Sequence, residues 1–159
     1  MSDASSHAPE SPRMREAVIG GLVAGTVDIG AACAINAVGP VIVTQAIASG
    51  LVGTASFKGG ADSAFLGLLL QWAMCILIAF IYGFAVDLFP GLRARWVAAG
   101  LICGAVTFFV MNYGVMRLSA LGRFPHFSPV GFMENFVAIL LFGLIISFVA
   151  RRRNPAGRR

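Results

Sequence analysis

The chain has 159 residues, of which 58% are hydrophobic and only 12% charged, with a mean hydropathy of +0.84. That leaves too few charges to coat a water-facing surface, since a soluble domain is about a quarter charged. The formal charge of +5 does not mark a nucleic-acid binder, because the arginines stand at the ends of apolar blocks and form no patch of their own.

Residues 1–16 (MSDASSHAPESPRMRE) are polar, carry two prolines and read as a disordered cytoplasmic tail. A first apolar block follows from Ala17 to Val38 and is ended by Pro40. Ala32-Cys33-Ala34 has the small-residue pattern of a signal cleavage site. Asp28 interrupts the apolar run before it, and more apolar blocks follow, so the block reads as a retained membrane span.

Pro40–Phe57 (PVIVTQAIASGLVGTASF) is apolar but studded with Thr, Gln, Ser and Gly. On helical spacing Val43, Ile47, Leu51 and Phe57 share one side, while Gln45, Ser49 and Ser56 lie elsewhere. It is too short and too polar for a span of roughly 20 apolar residues. An interfacial helix and a re-entrant segment both fit. Lys58-Gly59-Gly60 is a turn, and Asp62 or Ser63 is positioned to cap the next helix.

The second span runs from Ala64 to Val86, the third from Trp96 to Met116 and the fourth from Val130 to Ala150. The connections are DLFPGLRAR, with a Pro90-Gly91 turn, and Arg117–Pro129, which holds Pro125 and His126. The expected fold is therefore all-α: an integral membrane four-helix bundle over 17–150, with an interfacial or re-entrant segment between its first two helices. A basic tail, 151–159, closes the chain. Arg13, Arg15, Arg93, Arg95 and five tail arginines fall at one end, against Lys58, Arg117 and Arg123 at the other. The positive-inside rule then puts both termini in the cytoplasm of a bacterial-type inner membrane.

Lipid removes the hydrophobic drive between helices, so close packing and polar contacts must hold the spans together. Gly21-xxx-Gly25 and Gly100-xxx-Gly104 are the candidate packing motifs. They serve packing within one bundle or association with a second copy. Gly21, Gly25, Asp28, Ala32 and Asn36 fall on one helix face that is wholly small or polar. Gly67, Gln71, Met74 or Cys75, Ile78 and Tyr82 form a matching stripe on the second span.

Asp28 is the principal candidate for function. A charged aspartate at mid-span costs at least about 2.5–3.5 kcal/mol on insertion scales, so such residues are functional candidates. At about 1.5 Å rise per residue, Asp28 and Gln71 reach similar depth. With no lysine or arginine at that depth, Asp28 is expected protonated, hydrated, or hydrogen-bonded to Gln71 or Tyr82. One reading is a neutral group that fixes helix register; the other is a carboxyl that binds a proton or cation. Asn112, Glu134 and Asn135 form a second polar set nearer the outer side. The asparagines are simplest as helix–helix contacts, and Glu134 as a solvated or helix N-terminal carboxylate.

Cys33, Cys75 and Cys103 lie inside apolar blocks, without a CxxC pair or a neighbouring histidine. They read as small hydrophobes and not as metal ligands or a disulfide framework. The chain has no GxGxxG followed by an acidic residue, no P-loop, no HExxH and no GxSxG. No enzyme activity, catalytic residue, metal or cofactor is therefore expected.

The AGTVDI segment with Asp28, the QAIASGLVG–FKGG connection, the LGLLLQW–Y pattern and MNYGVMRLSAL resemble a family of small bacterial inner-membrane proteins of unknown function, distantly like the YagU group. The resemblance covers nearly all of 17–150. It implies four helices and an inner membrane, and supplies no activity. The family pattern often has histidine where Gln71 stands, and glutamine does not titrate. The expected partners are the lipid bilayer and a second copy or larger membrane complex. The expected role is an accessory or structural bundle. The alternatives are a small oligomeric proton- or ion-coupled transporter or channel using Asp28, and a lipid-directed enzyme using Glu134 and His126.

Overall fold

The computed structural model describes residues 12–122 and 128–152. The expectations for most of the two tails and for the loop at His126 lie outside these residues. Among the described residues every regular element is helical: α1 (Pro12–Asn36), α2 (Pro40–Val52), a 3₁₀ segment (Gly53–Lys58), α3 (Gly60–Leu88), α4 (Gly91–Ala94), α5 (Trp96–Phe109), a π-helical segment (Val110–Val115), α6 (Met116–Leu118) and α7 (Pro129–Arg151). Five stretches are long and apolar enough to cross a membrane: Met14–Asn36, Pro40–Lys58, Gly60–Leu88, Trp96–Leu118 and Pro129–Arg151.

α1 starts at Pro12, inside the stretch expected to be tail. Proline suits a first helical turn, where its missing N–H costs nothing. α1 ends with Ala37 at φ 52°, and the Val38 N–H bonds the Cys33 carbonyl at 3.2 Å. That is a Schellman-type stop with alanine in the position glycine usually fills.

The long helices pack as a row. α1 lies between α3 and α7, and α7 lies between α1 and α5, while α3 meets α7 only narrowly. Neighbours are antiparallel: Gly21 faces Ile76 on α3, Gly20 faces Val149 on α7, and Gly100 faces Ser147 across the α5–α7 seam. Ala17, Ala24, Cys75, Tyr82, Ala99, Phe142 and Ile146 bring all four helices into one core.

On α2 and α3 the buried face is mostly small or polar and the exposed face large and apolar, while α5 and α7 also bury Phe108, Phe142 and Ile146. On α3 the buried stripe is Ser63, Gly67, Gln71, Cys75, Ala79 and Tyr82, while Phe65, Leu69, Leu77, Phe80, Ile81, Phe84 and Leu88 are exposed. α2 repeats the inversion: Thr44, Gln45 and Ser49 are buried, and Val41, Ile42, Leu51 and Val52 are exposed. A water-soluble helix has the opposite arrangement.

The stretch Pro40–Lys58 does not run straight. The Ser56 hydroxyl donates to the Gln45 carbonyl at 2.9 Å, two positions that would stand about 16 Å apart along one continuous helix. Gly53 makes the reversal, at φ 70° and ψ −162°, a region only glycine occupies freely. A Cβ on Gly67 would fall on the Thr44 carbonyl, so α2 crosses α3 at backbone contact. Beyond the crossing, the Gly50 carbonyl accepts from the Ala120 N–H at 2.8 Å. α2 thus straps α3 to the turn that follows α6, at the end of the row opposite the start of α1 and the end of α7.

Candidate functional site

The seam between α1 and α3 holds the strongest candidate. Gly21 lets α1 approach the backbone of Ile76, and Gly25 sits against Cys75 and Trp72. A Cβ on Gly21 would lie 2.6 Å from the Ile76 Cα, so only glycine permits this spacing. Two turns up, the close approach brings Gln71 Nε2 within 2.7 Å of Asp28 Oδ2 as donor to acceptor. Gln71 is buried at 8% exposure, and Asp28 is half-buried. A second contact crosses the same seam, from Trp72 Nε1 to Thr26 Oγ1 at 3.3 Å. Among the described residues no cation pairs with Asp28; an ion pair joins Arg93 to Asp87 at 3.3 Å in the α3–α4 turn.

The other sequence candidates are dispersed. Tyr82 is buried, well along α3 from Asp28. Asn36 is exposed and its amide donates to Ala32 O on its own helix. Asn112 and Asn135 do likewise, to Phe108 O and Gly131 O at 2.9 and 2.8 Å. These hydrogen bonds are thus made within a helix and not between helices. Asn112 lies in the π-helical segment, where the widened turn continues α5 without a break. Glu134 is exposed, flanked by exposed Val130, Met133 and Val137. What joins α5 to α7 at that level is aromatic: Phe108, fully buried, meets Phe132 and Phe136 edge to face at 5.1 Å.

Gly100 and Gly104 both face α7, as close-packing glycines should. Gly143, which the sequence did not single out, completes their contact: a Cβ there would lie 2.5 Å from Gly104 N. A polar knot at the α2 reversal was also not foreseen. Gln45 Nε2 donates to Gly60 O at 2.9 Å, and Ser63 Oγ donates to Ser56 O at 2.5 Å. Together with the Ser56–Gln45 bond these satisfy buried polar groups across three segments, as burial away from water requires.

Among the described residues no group of three or more His, Cys, Asp or Glu side chains is placed to hold a metal ion. No family model, curated protein or solved structure matches the chain.

Proposed function

We propose that this chain is a non-enzymatic polytopic membrane protein, built as a structural or accessory helix assembly of an inner membrane. In this reading α1, α3, the α5–α6 helix and α7 cross the bilayer, with both termini cytoplasmic. α2 and the 3₁₀ segment cover the outer end and do not cross. The kinship with the YagU-like group belongs to the same proposal.

One observation carries it: every long helix exposes a run of large apolar side chains, while α3 buries a largely small and polar stripe, as spans in lipid do. The doubling back at Gly53 supports counting four crossings. Helix ends and polar side chains then have to be satisfied within the protein, which the knot at Gln45, Ser56 and Ser63 does. Asp28 acts here as a register lock, its carboxyl held by a neutral amide inside a glycine-lined seam.

A second reading makes Asp28 the coupling carboxyl of a small oligomeric transporter or channel. Its support is that Asp28 keeps some exposure, and that α1 beyond it is open, with space beside Gly30. Proton and ion flux into proteoliposomes, wild type against Asp28→Asn, separates the two. The register lock predicts no flux above protein-free vesicles in either, with the variant folded. Flux that the asparagine abolishes would replace this proposal with the transporter.

A further inference from the structure

The end of the row that carries the termini holds a cluster the register lock does not use. Trp96 opens α5 and packs on Phe148 of α7, ring centroids 5.6 Å apart. Arg151 stands over the Trp96 ring at 5.2 Å, and Arg152 over the Phe148 ring at 4.3 Å. Both arginines are exposed, as is Arg95, one residue before Trp96. The end of α7 therefore presents two guanidinium groups on an aromatic shelf that α5 and α7 build together. Among the described residues the acids at this end are Asp87, which is paired with Arg93, and Glu16, on α1 beside α7.

We infer that this shelf is a binding site for the phosphate of an anionic phospholipid in the cytoplasmic leaflet. The inference rests on the membrane reading above. Trp rings settle at the boundary between acyl chains and headgroups, which puts the two guanidiniums at phosphate height. Arginine offers a planar fork of donors that matches phosphate oxygens. Stacking on Trp96 and Phe148 holds the forks in place before a lipid arrives, so less side-chain freedom is lost on binding. Basic positions between helices at the cytoplasmic face are where such headgroups bind.

The test uses the full chain in vesicles, with Trp72→Phe leaving Trp96 as the only indole of the two. Its fluorescence is quenched with bromo-acyl phosphatidylglycerol or bromo-acyl phosphatidylcholine. The ratio of the two quenching constants is the lipid preference. The wild-type shelf should prefer phosphatidylglycerol. Arg151→Gln with Arg152→Gln should cut that preference by about fivefold per arginine removed. Arg158→Gln with Arg159→Gln takes the same charge from the tail and should change it far less. Equal losses in the two double variants would mean diffuse attraction to the surface and would overturn the site. So would equal quenching by both lipids. Loss of the preference to inorganic phosphate, beyond that caused by chloride at matched ionic strength, would assign the site to free phosphate instead. Failure of the wild-type chain to insert into phosphatidylcholine vesicles would strike the membrane reading itself.

Discussion

Adding one methyl group at Gly143 should destabilise the assembly, and adding one at Gly30 should not. A Cβ on Gly143 would stand 2.5 Å from Gly104 N and 2.8 Å from Gly104 Cα, with the Gly100 carbonyl also in its way. These are backbone atoms, so no side chain can swing aside. Ordinary contact begins near 3.4 Å, so α5 and α7 must separate by about 1 Å. A gap of that size forfeits a quarter to a half of each atom–atom attraction of about 0.1–0.2 kcal/mol. Spread over some tens of pairs along the seam, the loss is about 2–3 kcal/mol. Alanine returns about 1 kcal/mol through helix propensity, which leaves Gly143→Ala about 1–2 kcal/mol less stable. Gly30 is mid-helix on α1 with nothing within 4 Å of its added Cβ. There only the propensity gain remains, and Gly30→Ala should be stabilised by up to about 1 kcal/mol. Unfolding in detergent can be followed by thiol labelling, because Cys75 is buried and free. A Gly143→Ala protein as stable as wild type, or a Gly30→Ala protein as damaged as Gly143→Ala, would refute the packing argument.

Three further outcomes follow from local geometry. In a double-mutant cycle, Asp28→Ala and Gln71→Ala should couple by about 0.6–2 kcal/mol, the range of interhelical hydrogen bonds in membranes. Asp28→Asn, which keeps an acceptor for Gln71, should lose less than Asp28→Leu in the same unfolding assay. Ala37→Gly should raise stability by about 1 kcal/mol, because alanine at φ 52° carries a steric penalty that glycine does not. An unchanged or lowered midpoint would show that the α1–α2 turn is under no such strain.

The parts of this fold that could be read in the sequence are those governed by helical spacing. Gly21, Gly25 and Asp28 fall on one face by arithmetic, and the same rise per residue sets Asp28 level with Gln71, where they meet. Gly100 and Gly104 announce a close-packed face by their spacing of four. Gly143 has no glycine four residues away on α7; its partner at that spacing is Ser147, a weaker small-xxx-small signal than a glycine pair. α2 was harder still. Its composition leaves an interfacial helix and a re-entrant segment both open, and only the backbone reversal at Gly53 joins Gln45 to Ser56 and Ser63. The asparagines were misleading for a different reason. An amide at helical position i can bond the carbonyl at i−4 as readily as a neighbouring helix, and Asn112 and Asn135 take the local partner. Residue type cannot distinguish those choices.

The number of crossings is tested most directly by the two ends of the α2 strap. Single cysteines at Gly39 and Lys58, both exposed, are placed in a background lacking Cys33, Cys75 and Cys103, and an impermeant maleimide is added to intact cells. The account predicts that both label from outside, while a cysteine at Gly91, at the opposite end of α3, labels only after the membrane is opened. Labelling of Gly39→Cys and Lys58→Cys from opposite sides would make Pro40–Lys58 a fifth span and contradict the account.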